Sequence, residues 1–365
     1  MSPLFDRRAL LAAGASLAFA GSARAKDGSP ELVEALRRRV ADEKQGTGAA
    51  VGVIRAGRLE VSSYGRFSLD DPRRPGADTV FQIASLTKIF TALLLTDAVR
   101  RGEVALDDPL SKHLPGPPIA FEGREATLLD LATHTSGLPL RPASRVDRSQ
   151  DDPYAGYSEA DLHADLALVR LTRAPGAAFQ YSNFDYGLLG DALAHRLGRS
   201  YAELLQSRIL GPLGMHETTL TPTADMRRRA IPGYDLEFKP ARPWELGALA
   251  PAGGLFSTLQ DMAKFLRLWT GEAKTPLAQA AAAMLTTDRP GDAPDIRMAI
   301  GWRRIRPAER TLFWSNGNAG GVRSFMGFDV ETRAGVIAYV NRISGLGVDD
   351  IGVHVLDPSQ AIETA

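Results

Sequence analysis

The sequence predicts an α+β fold in which one antiparallel sheet is built from both ends of the chain, with a mainly helical region inserted between them. Strand-like segments lie near the N-terminus and in the last third of the chain, whereas the stretch between them is helical and rich in loops. Strands and helices segregated in this way are typical of an antiparallel sheet rather than of a βαβ array. The 365 residues, of which 44% are hydrophobic, can bury a large core and exceed the usual length of one domain.

The first 25 residues have the features of an export signal. Arginines at positions 7 and 8 precede an apolar stretch over residues 9–20, and Ala23 and Ala25 offer an A-x-A cleavage site. A twin-arginine signal and an ordinary secretory signal fit about equally well. We therefore expect a signal peptide over residues 1–25 and an exported, periplasmic mature protein without a membrane span. A retained membrane anchor is the alternative.

Strands are predicted on both sides of the helical region. Residues 49–55 and 59–64 form two strands joined at Ala56-Gly57, and a strongly apolar helix that begins near Ser85 follows them. Apolar residues at helical spacing predict this helix, and Gly102 marks its end. Towards the C-terminus, four segments predict successive strands separated by polar turns: 300–305, 311–314, 323–329 and 335–340.

Capping signals predict the helices of the inserted region. A serine or threonine followed three residues later by an acidic residue is typical of a capping box. This pattern predicts helix starts at Thr127, Ser158 and Ser200, and Thr258 begins one more amphipathic helix. These boundaries predict a sheet domain made of residues 26–106 and 248–365, and a helical insertion domain over residues 107–247.

Composition excludes several classes of function. The 43 basic and 43 acidic residues balance, so nothing in the charge favours a nucleic acid or an acidic membrane as partner. The absence of cysteine excludes a disulfide framework, thiolate chemistry and a lipoprotein anchor. The six histidines are scattered without metal-ligand spacing, so we expect no metal and no cofactor. The expected partner is a small-molecule or peptide substrate, and the oligomeric state is left open.

The segment Ser85-Leu86-Thr87-Lys88 carries the strongest chemical signal. A serine hydroxyl needs a neighbouring base to attack a carbonyl, and a lysine three positions later on a helix lies on the same face. An apolar helix destabilises the ammonium form of Lys88, which makes the amine a proton acceptor near neutral pH. Only 7 of the 43 basic residues are lysines, so a lysine in such a helix is uncommon here. The alternative is that Ser85 only caps the helix and Lys88 extends to the surface.

Two further motifs follow in order along the chain. Tyr181-Ser182-Asn183 begins a predicted helix, and Gly317 lies between two predicted strands, followed by a pair of glycines at 320 and 321. Glycine at a strand edge lets a ligand approach the backbone closely. The structural alternatives are that Tyr181 is a buried aromatic residue and that Asn183 is a helix cap.

These residues resemble the serine hydrolases of the class C β-lactamase and penicillin-binding-protein superfamily. That superfamily has an S-x-x-K, a Y-x-N and a third K/H-[TSN]-G motif on an edge strand, in this order. The segments 134–139 and 251–255 also resemble it, and the run 349–352 is similar to the D-alanyl-D-alanine carboxypeptidase/endopeptidase-like subgroup. The resemblance covers nearly all of the mature chain and implies a β-lactamase/transpeptidase-like fold.

The resemblance also implies a role for each motif residue. Ser85 attacks a carbonyl and forms an acyl-enzyme, while Lys88 and Tyr181 share the proton transfer, with the formal base left open. Asn183 is expected to bind the substrate amide and to hold Lys88. The backbone N–H groups of Ser85 and Asn318 are expected to form the oxyanion hole.

The third motif is expected to complete the substrate site, but it departs from the family pattern. It reads Ser315-Asn316-Gly317, so a serine stands where a lysine or histidine is usual. A serine hydroxyl carries no charge, and we expect a loss of roughly 1–3 kcal/mol for an anionic substrate. Arg323 is a candidate replacement for that charge, and a surface role is the alternative. His134 and Ser136 are expected to be structural residues of a turn.

The sequence therefore predicts a serine hydrolase that works through an acyl-enzyme. The preferred substrates are D-alanyl peptides of cell-wall origin, with weak β-lactam recognition because of Ser315. The alternatives are a carboxylesterase of the same fold or a class C-type β-lactamase. A non-catalytic wall-binding paralogue is a further alternative, which the joint presence of Ser85, Lys88 and Tyr181 argues against.

Overall fold

The computed structural model describes residues 26–364 except 147, 150, 308, 309 and 344. The predicted signal peptide, residues 1–25, lies outside the described residues. The strands are β1 (Lys26–Asp27), β2 (Gly48–Arg55), β3 (Arg58–Gly65), β4 (Val80–Gln82), β5 (Ala120–Phe121), β6 (Arg124–Glu125), β7 (Gly233–Tyr234), β8 (Pro240–Ala241), β9 (Phe256–Thr258), β10 (Arg289–Pro290), β11 (Arg297–Ala299), β12 (Trp302–Ile305), β13 (Leu312–Ala319), β14 (Val322–Asp329) and β15 (Gly335–Val340).

The helices alternate with short 3₁₀ and π turns. They are α1 (Pro30–Arg37), α2 (Thr87–Arg100), α3 (Leu128–Ala132), α4 (Glu159–Leu168), α5 (Asn183–Leu197), α6 (Tyr201–Leu205), α7 (Ala224–Arg228), α8 (Ala250–Gly253), α9 (Leu259–Trp269), α10 (Ala278–Leu285) and α11 (Asp349–Leu356). Among the described residues, no helix is long and apolar enough to span a bilayer.

The main sheet joins the two ends of the chain, as the sequence predicts. Its nine strands lie in the order β1-β3-β2-β15-β14-β13-β12-β11-β10. All neighbours are antiparallel except β1 and β3. The pairing of β15 with β2, with Val336 opposite Val53, joins the two ends of the chain. The α+β prediction with an antiparallel sheet is therefore confirmed.

Helices cover both faces of this sheet. Helices α1 and α11 pack on one face through residues such as Leu36 and Ile351, whereas α2 and α9 pack on the other, where Phe90 stacks on Phe265. A strand that is covered on both faces reads as a continuous apolar run rather than as an alternating pattern. This explains why all six residues of β15 are buried.

The third glycine-rich motif lies inside a strand, which corrects the expectation that Gly317 falls between two strands. The segment predicted as 311–314 continues to Ala319, and the chain then turns back at Gly320 and Gly321. Both glycines have positive φ angles, 54° and 77°, as a tight two-residue hairpin requires. The predicted strand 300–305 is also shorter, because Gly301 adopts φ 75° in the turn before β12.

The capping signals correctly predict the starts of three helices between residues 107 and 247: α3, α4 and α6. Thr127, Ser158 and Ser200 each form a reciprocal capping box with the acidic residue three positions later. This stretch shares one continuous apolar core with α2 and α9. Its separation as an insertion domain, with boundaries at residues 107 and 247, stays a prediction.

Candidate active site

Ser85 lies in a 3₁₀ turn, Ala84–Leu86, that leads directly into α2. Ala84 adopts φ 52°, a left-handed conformation that is uncommon for residues other than glycine. The preceding carbonyl is held in place, since the Ser324 hydroxyl donates a 2.9 Å hydrogen bond to the Ile83 oxygen. Strand β14 therefore helps to hold the backbone of the turn that carries Ser85.

Gly317 allows β13 to approach this turn closely. A Cβ atom at residue 317 would lie 2.7 Å from the Ile83 oxygen and 2.9 Å from the Ala84 Cβ. Carbon atoms do not normally come this close to such neighbours, so only glycine fits without a shift of the strand. The third motif is thus packed directly against the turn that carries Ser85.

Lys88 points its amine at Ser85 from one turn further along the chain. Its side chain is buried, with 3% of the residue exposed. Nζ donates hydrogen bonds to Ser85 Oγ at 3.2 Å, to Asn183 Oδ1 at 2.8 Å and to the Ala252 carbonyl at 2.7 Å. Burial is the largest effect on this amine and lowers the pKa of Lys88 below its ordinary value. The alternative that Lys88 extends to the surface is therefore wrong.

Tyr181 contacts Ser85 from the other side. Its hydroxyl lies 2.7 Å from Ser85 Oγ, and its ring centre is 4.8 Å from Lys88 Nζ. Burial alone would raise the pKa of Tyr181, but the charge and hydrogen bonding of Lys88 outweigh it, so the net pKa is lowered. Ser85 Oγ is thus within hydrogen-bond distance of two groups that can accept its proton.

Asn183 connects this group to the wall of the cavity. While Oδ1 accepts from Lys88, Nδ2 donates to the Tyr154 hydroxyl at 2.8 Å. The cap of helix α5 is Ser182, whose side chain accepts from the Asp185 N–H, so Asn183 is not the cap. The structure therefore brings Ser85, Lys88, Tyr181 and Asn183 together, and we call these four residues the acylation cluster.

His134 and Ser136 lie behind Tyr181, where a buried polar group supports it. The His134 ring centre is 4.5 Å from that of Tyr181, and Nδ1 accepts a 3.2 Å hydrogen bond from the Ser182 N–H. The Ser136 hydroxyl donates to the Asp185 carboxyl, which also lies 3.3 Å from His134 Nδ1. Burial lowers the pKa of His134 and raises the pKa of Asp185, so for both groups it disfavours the charged form.

A cavity of about 380 Å³ opens over Ser85. Asn316, Gly317 and Asn318 line it, whereas Ser315 is buried in β13 and is not among the described residues that line it. The role of Ser315 in substrate binding stays a prediction. The other lining residues come from several elements: Ser85, Leu140, Arg141, Tyr154, Tyr181, Asn183, Trp244, Arg303 and Arg323.

The residues of the third motif pair with β14 on one side, while their other side is a free strand edge. Strand β12 pairs with β13 only from Leu312 to Trp314, while β14 pairs along the whole of β13. Among the described strands, none therefore pairs with residues 315–319 on the side of β12. Although β13 is internal in the strand order, its motif segment is an open edge, as expected from the resemblance.

Arg303 is one of the lining residues that the sequence did not predict. It lies on β12 opposite Trp314, with its guanidinium carbon 4.9 Å from the Trp314 ring centre and 5.9 Å from that of Tyr181. Nothing in the local pattern of residues 300–305 indicates this position, because it depends on the register between β12 and β13. Arg323, the candidate replacement for the missing charge, also lines the cavity, and Asp349 pairs with it.

One group of side chains outside the cavity has the composition of a metal site. Ligand atoms of Glu159, His163 and Asp191 all lie within 4.8 Å of one another. His163 Nε2 and Asp191 Oδ2 already form a 2.7 Å contact, and none of the three lines the cavity over Ser85. This group has no contact with the acylation cluster in the part of the chain that the structure describes.

One protein family matches most of this chain. The model of the Beta-lactamase family matches residues 33–352. The chain belongs to the Beta-lactamase family. Homologues in this family are serine hydrolases, so the predicted enzyme class and superfamily are confirmed.

Individual family members match most of the chain. The D-alanyl-D-alanine-carboxypeptidase/endopeptidase AmpH of Escherichia coli K12 is 31% identical over 337 residues, covering 86% of this chain and 85% of AmpH. A class C beta lactamase structure from Rhodobacter sphaeroides has 27% identity and a TM-score of 0.74, covering 86% of this chain and 95% of that one. A beta-lactamase/D-alanine carboxypeptidase structure from Yersinia pestis has 27% identity and a TM-score of 0.71, covering 86% and 92%. The predicted β-lactamase/transpeptidase-like fold is confirmed.

Proposed function

We propose that this member of the family forms an acyl-enzyme on Ser85 and hydrolyses D-alanyl peptides of cell-wall origin. One observation carries the proposal. Ser85 Oγ lies 3.2 Å from Lys88 Nζ and 2.7 Å from the Tyr181 hydroxyl, beside a cavity that admits a substrate. A nucleophile that contacts two groups with lowered pKa values fits acyl transfer better than passive binding.

Acylation begins when Ser85 loses its proton. As Oγ bonds to the carbonyl carbon of the substrate, the proton passes to Lys88 Nζ or to the Tyr181 oxygen, both of which are within reach. The carbonyl oxygen gains a negative charge, which the backbone N–H groups of Ser85 and Asn318 would stabilise. Both residues line the cavity.

The acyl-enzyme then forms and breaks down in two balanced steps. The tetrahedral intermediate collapses, the bond to the leaving amine breaks, and that nitrogen takes the proton from the Lys88–Tyr181 pair. A water molecule next gives a proton to the same pair and attacks the acyl carbon. Release of the acid returns the proton to Ser85 Oγ.

The open edge of β13 supports a peptide as substrate. An extended peptide can add to a free strand edge through main-chain hydrogen bonds. Residues 315–319 offer such an edge beside Ser85, and the relative AmpH carries a D-alanyl-peptidase name. Asn183 also lines the cavity, and we expect its side chain to contact the amide of a bound peptide.

Ser315 favours weak rather than efficient β-lactam recognition, and it also supports a second candidate. The absence of a charge at residue 315 costs an uncharged ester less binding free energy than it costs an anionic substrate. A carboxylesterase of the same fold is therefore the second candidate function. Faster turnover of short acyl esters than of D-alanyl-D-alanine peptides would favour it.

We also propose that the protein acts after export to the periplasm. The twin arginines, the apolar stretch and the A-x-A site in residues 1–25 support this location. N-terminal sequencing of the exported protein checks cleavage after Ala25.

Covalent labelling tests the nucleophile. A fluorescent penicillin and a fluorescent phosphonate are each incubated with the wild type, with Ser85→Ala and with the control Ser111→Ala, whose site is exposed. We expect label on the wild type and the control, located at residue 85 by peptide mass, and none on Ser85→Ala. Turnover of D-alanyl-D-alanine peptides should fall at least about 10³-fold in Ser85→Ala. Failure of every probe to label the wild type would contradict the proposal.

A further inference from the structure

The cavity over Ser85 is cationic even though its third motif carries no cation. Arg141, Arg303 and Arg323 line it, and no aspartate or glutamate is among the described residues that do so. Ser315 offers only a hydroxyl at the position where related enzymes carry a charge. Among the described residues that line the cavity, these three arginines are the candidates for a positive partner of an anionic substrate.

Arg323 is already engaged by other groups. Its Nη1 donates to the Gly345 carbonyl, and Nη2 lies 3.3 Å from Asp349 Oδ2. The same carboxylate accepts a 2.6 Å hydrogen bond from Asn316. Both terminal nitrogens of Arg323 thus already contact other groups of the protein, and its role as a replacement for the missing cation stays a prediction.

Arg141 lies on a different side of the site. Its guanidinium carbon is 5.8 Å from the Tyr154 ring centre, on the loop that follows Leu140. This position is on the part of the cavity contributed by the helical stretch. Arg141 is thus not part of β13, the strand that carries the third motif.

Arg303 is adjacent to the place where the charge is missing. Its register partner on β13 is Trp314, the residue immediately before Ser315. The side chain is mostly buried and packs over the Trp314 ring, with its guanidinium near Tyr181. The positive charge therefore stands beside both the third motif and the acylation cluster.

The guanidinium of Arg303 is held in place and still has donors available. Its Nε donates a 2.7 Å hydrogen bond to Asp292 Oδ2, on a side chain that is 35% exposed. Within the described part of the chain, the two terminal nitrogens have no hydrogen-bond acceptor. Two parallel N–H groups on one guanidinium match the two oxygens of a carboxylate.

We propose that Arg303 binds the carboxylate of the substrate, in place of the cation that residue 315 lacks. The preferred substrates are then peptides that end in a free carboxylate next to the scissile bond, rather than amides or esters of the same peptides. This inference rests on the proposed acyl transfer at Ser85. Asp292 acts as the positioning residue that holds the guanidinium towards the cavity.

Two matched phosphonate probes test this proposal. Both mimic an acyl-D-alanine, one with a free terminal carboxylate and the other with a primary amide. The second-order rate of Ser85 labelling is measured for the wild type, Arg303→Gln, Arg303→Lys and the control Arg297→Gln, which replaces an arginine of β11 outside the cavity. Thermal unfolding midpoints check that each variant is folded.

We expect the wild type to be labelled faster by the carboxylate probe than by the amide probe. In Arg303→Gln, the labelling rate with the carboxylate probe should fall about 10- to 100-fold. The amide probe should change by less than about threefold, because it makes no ion pair. Arg303→Lys should retain part of the preference, and Arg297→Gln all of it. Adding Ser315→Lys to Arg303→Gln should restore labelling by the carboxylate probe.

The contrary outcomes are distinguishable. Equal loss with both probes would mean that Arg303 supports the fold or the chemistry rather than the carboxylate. Labelling of the wild type without preference would contradict the role of Arg303 and leave the proposed function intact. No labelling by either probe would contradict the proposed function, and with it the inference.

Discussion

The acylation cluster and the arginines of the cavity are built in opposite ways. Lys88 and Tyr181 both form hydrogen bonds with Ser85, at 3.2 Å and 2.7 Å, and Asn183 links Lys88 to Tyr154. The arginines at 141, 303 and 323 come from three separate segments of the chain. Arg303 pairs with Asp292, and Arg323 pairs with Asp349. The residues of the acylation cluster are linked by their own hydrogen bonds, while the arginines reach the cavity from separate elements and are partly exposed.

This difference separates the reaction from the choice of substrate. Groups that move a proton must be placed within a few tenths of an ångström, which burial and mutual hydrogen bonds achieve. Charged groups around a cavity act over longer distances and tolerate replacement from a neighbouring strand. We therefore expect substitutions in the acylation cluster to affect all substrates, and substitutions of the arginines to affect only anionic ones.

The largest expected effect comes from Lys88. Lys88→Met should lower kcat/KM by about 10³-fold for acids, amides and esters alike, because the proton acceptor beside Ser85 is lost. Lys88→Arg serves as the matched variant, since it keeps the positive charge near Tyr181 but cannot accept a proton. Steady-state rates on one acid and one neutral substrate give the comparison. If Lys88→Arg retains most of the activity, Lys88 acts through its charge and Tyr181 is the base.

The pH dependence of the rate tests Lys88 separately from the arginines. Burial lowers the pKa of Lys88, so the neutral amine that accepts a proton is present at lower pH than for an ordinary lysine. The rate in the wild type should therefore fall as pH decreases through this lowered pKa, equally for both substrates. A low-pH limb that differs between the acid and the neutral substrate would contradict its assignment to Lys88.

A smaller effect is expected at Gly317, where the two groups meet. Gly317→Ala places a Cβ 2.7 Å from the Ile83 oxygen, so β13 must move away from the Ser85 turn. We expect kcat/KM to fall by about 10²-fold on every substrate, since displacement of about 1 Å disturbs the reacting geometry. The control Gly76→Ala has only an ordinary contact and should be unaffected. A loss confined to anionic substrates would show that the strand serves recognition alone.

The smallest expected effect is at Asp349. Asp349→Asn removes the carboxylate that offsets Arg323, and the KM for an anionic peptide should fall by about two- to fivefold. The kcat should not change, because this carboxylate has no contact with the acylation cluster among the described residues. Asp225→Asn, at an exposed position, is the control. A fall in kcat for neutral substrates would mean that Asp349 supports Asn316 instead.

The acylation cluster could be predicted from the sequence because its determinants are local. Ser85 and Lys88 are one helical turn apart, and Tyr181 and Asn183 flank the cap of one helix. The capping boxes were also predictable, since each depends on residues three positions apart. In these cases, the chain neighbours alone fix the geometry.

Other features depend on contacts between distant segments and could not be predicted in this way. The charge of Arg303 reaches the site only through the pairing of β12 with β13. His134 meets Asp185, 51 residues away, only after the helical stretch has packed. The full length of β13 was missed because glycine and asparagine have low strand propensity, which pairing with β14 overrides here.

The open edge of β13 has a consequence for which molecules can enter the site. A free strand edge would pair with any extended chain, including strands of other proteins, and therefore carries a risk of aggregation. Here Arg141, Tyr154 and Trp244 share a cavity of about 380 Å³ with that edge. A folded sheet cannot fit into this space, whereas the flexible end of a short peptide can. Because side chains of the helical stretch share the cavity with this edge, we expect the site to accept the ends of short peptides rather than whole strands of other proteins.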